Sequence, residues 1–281
     1  MNPSATKHDP NPKLDVKLAL PPAHLVERRA QLEAEFGEPI TLDGLTGSWF
    51  IFQRAHGHRH SIDDVLTAHY ALEVSPRVET HLDLGAGIGT VGLLALSTLD
   101  EHSRLTAVEA QSTSFRLLLA NLEANGLSDR VRALHGDLRE LSLAENFPLI
   151  TGSPPYFPLG TGVVPQDSQK AHARFELRGD VTDYARVAAR HLGTDGWFVF
   201  CFPSVQTERA LAAVASAGLA VVRRRDVIPR QGRPALFSLF ACRRLVGAPR
   251  SVVDPPFVVR SETGELSPAM CEVRRDFGFR R

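Results

Sequence analysis

The sequence predicts an α/β fold built on a mostly parallel sheet, on three observations. From residue 79 short β-rich runs alternate with helical ones, a glycine-rich loop joins the first of these strands to its helix, and two strand-like runs joined by a short turn come late in the chain. Alternating strands and helices bury apolar surface on both faces of a parallel sheet.

The elements follow in order. Residues 1–20, rich in Pro, Asn and Lys, read as a loose tail, residues 21–75 as an N-terminal helical and strand extension, and residues 76–281 as the main domain. "PPAHLVERRAQLEAEFGE" (21–38) is a helix with prolines at its start and Gly37 at its end. "GSWFIFQ" (47–53) is a strand, the His-rich "RAHGHRHS" a loop, and "IDDVLTAHYAL" has helical apolar spacing. "THLDLG", "RLTAVEA", "VRALHGD", "FPLITG" and "GWFVFCFP" are the strands of the main domain. Between and after them "TVGLLALSTL", "TSFRLLLANLEANGL", "DVTDYARVAARHL" and "SVQTERALAAVASAG" are helices. "LAVVRRRDVIPR" and "PALFSLFACRRL", joined around "QGR", read as a hairpin, with no repeat or low-complexity segment anywhere.

Composition narrows the partners. A chain of 281 residues suits one α/β domain with extensions, and 43% hydrophobic residues supply its core. Lys+Arg and Asp+Glu are both 32, so attraction to nucleic acid or a membrane is not global and has to come from a local patch. Cys201, Cys242 and Cys271 have no paired spacing and suit a reducing compartment. With no long apolar run and no signal-like N-terminus, the expectation is a cytoplasmic protein without membrane contact, monomeric by default.

"HLDLGAGIGTVG" (81–92) ends a strand and opens a helix, and Gly87, Gly89 and Gly92 satisfy GxGxxG. Glu109 ends the next strand, where an acid binds ribose hydroxyls. Both an NAD-type dinucleotide and S-adenosylmethionine (SAM) fit that pattern, and a plain tight turn is the bland alternative. Asp83, two residues before Gly85, favours SAM, because a carboxylate repels pyrophosphate and attracts an ammonium and a sulfonium. Capping backbone amides is the competing role for Asp83. Asp137, ending the third strand in "HGD", is a candidate adenine contact or an ordinary strand-end aspartate.

"SPPY" (153–156) follows the fourth strand, at the sheet edge where ligands bind in parallel α/β folds. An exocyclic or amide nitrogen is a poor nucleophile because its lone pair is delocalised. The Ser153 hydroxyl and the Pro154 carbonyl can accept its two hydrogens and localise that pair, Pro155 stiffens the turn, and Tyr156 stacks on a planar acceptor. No strong base is required, since the proton leaves after alkylation. Such a turn by itself is compatible with a purely structural role.

These motifs, in this order, resemble those of Rossmann-like class I methyltransferases acting on nitrogen. "HRHSIDDVLTAHYA", "SPPYFPLGTG…KAHARFEL", "RDVIPRQGRPALFSLFACRR" and "PPFVVRSETGELSPAM" further resemble the bacterial tRNA1(Val) adenine-N6 methyltransferase family over roughly residues 40–270. The resemblance implies a seven-stranded sheet with an antiparallel last strand, SAM as cofactor, and an adenine beside the anticodon as substrate. It places Asp63, Asp83, Gly85, Gly87, Gly89, Glu109, Ala110, Asp137 and Leu138 at the cofactor, and Ser153, Pro154, Pro155 and Tyr156 in catalysis. Phe157, Lys170, Arg174, Arg230 and Arg233 fall to the substrate, with Arg223, Arg224 and Arg225 completing a basic patch for tRNA or merely a solvated charged strand.

One residue departs from the family: Ser153 stands where the family usually has Asn, and serine there is usual in cytosine-N4 methyltransferases of DNA. DNA cytosine, a small amine and a non-catalytic SAM- or RNA-binding role stay open, a release-factor glutamine is weaker because its enzymes typically have Asn at this position, and an NAD-dependent reductase is disfavoured by Asp83. His56, His58 and His60 are read as solvated loop residues with no metal. Glu176 is expected to pair with Arg174 or Lys170, Asp180 to start a helix, and Trp197 and Phe200 to sit in a strand core.

Overall fold

The computed structural model describes residues 21–247 and 250–279; the expected tail, residues 1–20, lies outside them. Helix α1 (Ala23–Phe36) stops at Gly37, whose φ of 68° turns the chain and lets its amide close on the Glu33 carbonyl at 2.9 Å. Strands β1 (Ile40–Gly44) and β2 (Phe50–Arg54) form an antiparallel hairpin, of which only β2 was expected. Helix α2 (Ile62–Val74) starts in a capping box between Ser61 and Asp64.

The main sheet begins with β3 (Thr80–Leu84), α3 (Thr90–Thr98), β4 (Arg104–Glu109), α4 (Ser112–Ala124), β5 (Val131–His135) and β6 (Phe147–Gly152). It continues with α5 (Ser168–Arg174), α6 (Val181–His191), β7 (Leu192–Pro203), α7 (Thr207–Ser216), β8 (Leu219–Ile228) and β9 (Phe237–Arg244). Strands β10 (Val252–Val253) and β11 (Phe257–Val258) and helix α8 (Pro268–Asp276) follow. The order is β10-β8-β9-β7-β6-β3-β4-β5, with β9 antiparallel to β7 and β8 and every other pair in the sheet parallel. The seven expected strands are present; β10 and β11 extend the β8 edge and make the sheet nine-stranded.

Strand alternation divides the core. On β7, Val199 and Cys201 face the layer containing α2, α3 and α4, whereas Phe198, Phe200 and Phe202 face α6 and α7. Phe198, Phe200 and Phe240 stack at centroid distances of 5.0 and 4.9 Å, so Phe200 is core as expected. Trp197 is half-buried, with the Arg243 guanidinium 5.0 Å from its ring.

The N-terminal hairpin is joined to helix α4 by asparagine side chains and pairs with no strand of the main sheet. The Phe52 amide donates to Asn121 Oδ1 at 2.7 Å, and Phe50 exchanges two 2.8 Å hydrogen bonds with Asn125. These α4 amides satisfy a strand edge that would otherwise be exposed. The strand order reverses across β3, between β6 and β4, and residues His58, His60 and Asp64 around the start of α2 line a cavity with residues at the carboxyl ends of these strands. Ligands bind at such a switch point.

Candidate active site

The glycine loop leaves β3 with positive φ at Gly85 (64°), Gly87 (59°) and Gly89 (99°). A side chain at Gly87 would meet nothing within 4 Å, so left-handed backbone, not crowding, requires glycine there. A side chain at Gly85 would collide with the Tyr184 hydroxyl. Gly89 caps α3, with its carbonyl accepting from the Leu93 amide at 2.9 Å.

Asp83 and Glu109 anchor this loop and face one cavity. The buried Asp83 carboxylate accepts from the Thr151 hydroxyl at 2.7 Å and from the Gly92 amide at 3.1 Å. Burial pushes its pKa up to about 6 against those two hydrogen bonds, and the Glu109 charge adds to the rise. Glu109 accepts from the Gly87 amide at 2.8 Å and the Gln111 amide at 2.6 Å, and its burial likewise raises its carboxyl. Both acids therefore hold backbone as well as line the cavity.

Other walls come from separate elements. Gly85, Gly87, Ala110 and Leu138 line the cavity beside Asp83 and Glu109, and Ser153 and Pro155 bring the β6 turn to it. Asp137 does not line it: its carboxylate caps the single turn Leu138–Glu140 and pairs with Arg139 at 2.6 Å, which holds its pKa low. Gly89, Asp63, Pro154 and Tyr156 also stand outside the lining. Asp64, one residue beyond Asp63, is in it, and burial and then the Asp63 charge push its carboxyl well above the usual range.

Several lining residues carry no local signal in the sequence. His58 and His60, expected to be solvated, both line the cavity, where burial lowers their pKa. Among the described residues no group of three His, Cys, Asp or Glu is arranged to hold a metal ion. Gln111, Ser114, Gln169, His172, Arg178 and Tyr184 complete the walls. Gln169, His172 and Ala173 belong to α5, whose Asp167 cap was the available signal.

Helix α5 is fastened over the cavity from β2. Arg54 bridges Glu38 at 2.5 Å and Asp167 at 2.7 Å, and the buried Gln169 accepts from the His58 amide at 3.1 Å while donating to Ser114 at 3.1 Å. The Arg174 carbonyl at its end accepts from the Tyr156 and Phe157 amides at 3.1 and 2.9 Å. Phe157 is exposed and packs on Phe175 at 5.6 Å, while Lys170 is half-buried on α5 and the Arg174 side chain is exposed.

The turn has further supports. Gln206 donates to the Tyr156 carbonyl at 2.9 Å, and the Tyr156 ring meets Phe202 edge-on at 5.9 Å. Glu176 pairs with Arg209 of α7 at 2.6 Å, not with Arg174 or Lys170, because the chain after α5 turns toward α7. Asp180 caps α6 as expected. Arg230 and Arg233 are exposed at the tip between β8 and β9. By contrast Arg223 and Arg225 are bound to Asp254 at 3.0 Å and Glu73 at 2.7 Å, and Arg224 lies 3.6 Å from Asp226.

This strand order, with a glycine loop and an acid at each of the first two strand ends, defines a class I methyltransferase fold. Residues 64–176 match the methyltransferase small domain family. The chain is similar to a tRNA1(Val) (adenine(37)-N6)-methyltransferase of Actinobacillus pleuropneumoniae serotype 7, at 28% identity over 55% of this chain and 64% of that one, just under two thirds of its length. An enzyme of the same name from Shewanella frigidimarina is 25% identical over 70% of this chain and 83% of its own. Among solved structures, a predicted O-methyltransferase from Agrobacterium tumefaciens superposes with a TM-score of 0.59 at 19% identity, covering 78% of this chain and 98% of that one. These relatives bear out the family resemblance read from the sequence.

Proposed function

We propose that the protein transfers a methyl group from SAM to an exocyclic amino nitrogen, adenine N6 of a tRNA being the acceptor its relatives' names point to. One observation carries the reading: Ser153 and Pro155 of the β6 turn line the same cavity as Asp83, Gly85, Gly87 and Glu109. Acceptor chemistry and a cofactor cradle thus share one space.

The cavity's donor set fits SAM. Its acids Asp83 and Glu109 oppose a pyrophosphate and suit a ligand carrying an ammonium and a sulfonium. Asp83 and Asp64 would hold the amino-acid end, Glu109 the ribose, and Gly85, Gly87, Ala110 and Leu138 the faces between, with Asp137 acting through Leu138 and Gly89 through the loop's shape. Bound there, SAM supplies an electrophilic methyl. Residues 21–75 contribute His58, His60 and Asp64, which supports their assignment to the cofactor site.

Ser153 Oγ and the Pro154 carbonyl accept the two hydrogens of the amine, which localises the nitrogen lone pair. Pro155 fixes the direction of that carbonyl, and the Tyr156 ring bounds the acceptor base with Phe157 beside it. The nitrogen loses its proton after alkylation. Lys170, Arg174, Arg230 and Arg233 are assigned to the tRNA backbone.

No described helix is long and apolar enough to cross a membrane. We assign the protein to the cytoplasm, where tRNA is found, and take a monomer as the acting unit. The test is nucleoside mass spectrometry after incubating unmodified tRNA with the protein and methyl-labelled SAM. Labelled N6-methyladenosine is expected. Its absence, with SAM bound, would overturn adenine as acceptor and favour DNA cytosine, for which Ser153 is the specific observation, ahead of glutamine or a small amine.

A further inference from the structure

We infer that Asp63 sets the direction of a hydrogen-bond chain, running through Tyr156 and Cys201, which leaves the Ser153 oxygen an acceptor toward the cavity. The inference rests on the proposed role of Ser153 and assigns Asp63 to positioning the turn rather than to the cofactor.

The links are consecutive. Tyr156 Oη lies 2.8 Å from Asp63 Oδ2, Cys201 Sγ lies 3.2 Å from Tyr156 Oη, and Ser153 Oγ lies 3.4 Å from Cys201 Sγ. They meet because the start of α2 packs over the carboxyl end of β7, on the face that carries Cys201. Of these four residues only Ser153 lines the cavity.

Donor and acceptor inventory fixes the sense. The Tyr156 phenol donates its proton to Asp63 Oδ2. Asp64 next to it is the carboxyl driven toward protonation, by burial and by the charge on Asp63. With its proton so placed, Tyr156 Oη is left to accept the Cys201 S–H. Burial raises the phenol well above its ordinary value and the thiol to about 12, so both keep their protons. The sulfur lone pairs then remain for the Ser153 O–H.

The consequence falls on Ser153. Its proton is drawn toward sulfur, away from the cavity, and its lone pairs are presented there. A serine free to rotate would spend part of its time aiming O–H at the incoming N–H, donor against donor. A serine held by this chain is an acceptor before the amine arrives, which is preorganisation of the kind that lowers a barrier.

The test compares wild type, Asp63→Asn, Ser153→Ala and the double variant. It reads SAM affinity by calorimetry, and single-turnover transfer from SAM to unmodified tRNA. An Asn amide can donate to Tyr156 and reverse the chain. Asp63→Asn should therefore slow transfer about 10- to 100-fold, the scale of a misplaced reacting group, with SAM affinity near wild type. In the Ser153→Ala background the same change should cost nothing further. An undiminished cost in that background, or a loss explained by weaker SAM binding, would overturn the inference and return Asp63 to the cofactor. If Ser153→Ala transfers at the wild-type rate, the reading of the turn falls and this inference with it. If wild type transfers nothing to tRNA, the Cys201 S–H infrared band, isolated by difference against Cys201→Ala, decides without an acceptor. A band moved by Asp63→Asn and by Ser153→Ala supports the chain, and an unmoved band overturns it.

Discussion

Asp83 Oδ1 accepts the Thr151 hydroxyl at 2.7 Å, tying the carboxyl ends of β3 and β6 together directly beneath the cavity. His81 Nε2, 2.8 Å from the same hydroxyl oxygen, must be the donor there because the threonine proton is already committed to Asp83. The residue that faces the cavity is thus also a clamp between the strand that starts the glycine loop and the strand that ends in the Ser153 turn.

That arrangement gives a pH dependence with a definite sign. Burial raises Asp83 from 3.8 to about 6, so the native state holds its proton at pH values where the unfolded chain has lost it. The stability contributed by the neutral acid is fully present below the unfolded value and is lost as pH rises through about 6. Roughly 3 kcal/mol is involved, at about 1.4 kcal/mol per unit. Glu109 and Asp64 shift in the same direction. Urea midpoints of the ligand-free protein should fall between about pH 4 and pH 6.5, less steeply in Asp83→Asn, while SAM affinity rises over the same window. A flat affinity profile would place the cation of the ligand elsewhere.

Glu109 is a second hinge between structure and ligand. Its two oxygens take the amides of Gly87 and Gln111, one in the loop and one at the start of α4. In Glu109→Gln one of those amides meets an NH2 group instead of an oxygen. A charge-assisted bond is lost and a buried amide is stranded, at a cost of about 2–3 kcal/mol. SAM should bind at least about 10-fold more weakly, an effect of about 1.4 kcal/mol, with single-turnover transfer at saturating SAM close to wild type. A variant that binds SAM normally would remove Glu109 from the cofactor site.

The sheet, the glycine loop and the β6 turn were legible because each is written locally, as alternation, as glycine spacing, and as a stiff dipeptide after an apolar run. What was illegible depends on contacts distant in sequence. Strand β1 is five residues long and becomes a strand only against β2. Asp63 and Asp64 are neighbours, yet adjacent helical positions do not face the same way, so one meets Tyr156 and the other the cavity. The partner of Glu176 lies on α7, 33 residues further along the chain, and no spacing rule connects the two. Helix α8 is nine residues with an apolar face covering little more than Met270 and Val273, too short for its periodicity to stand out.

Arg54 should control the roof of the site. Its guanidinium is mostly buried and bridges Glu38 and Asp167, so Arg54→Ala strands two carboxylates as well as freeing the start of α5. The expected loss is about 2–4 kcal/mol locally, on the scale of breaking a partly buried charged network. Hydrogen exchange over residues 167–175 should accelerate while the strands β3, β4 and β6 keep their protection. SAM affinity should fall with it. Unchanged exchange in α5 would mean that Gln169, through His58 and Ser114, holds the helix by itself.

The arginines of the β8–β9 hairpin divide by what already neutralises them, and a salt titration of tRNA binding separates the two groups. Arg223 and Arg225 are half-buried, paired with Asp254 and Glu73, and lie 5.6 and 5.0 Å from the centroid of the Tyr70 ring. Their charge is satisfied inside the fold, and moving either to a phosphate would abandon a carboxylate of which Asp254 is only 8% exposed. Arg230 and Arg233 are exposed at the hairpin tip and have no carboxylate partner within 4.0 Å among the described residues. A phosphate contact releases counterions, so each such arginine contributes about one unit to the slope of log K against log salt. Arg230→Ala and Arg233→Ala should each lower that slope by about one and leave the urea midpoint unchanged. Arg223→Ala and Arg225→Ala should lower the midpoint and leave the slope as it is. The opposite pattern would move the nucleic-acid surface off the hairpin tip and onto the face of β8.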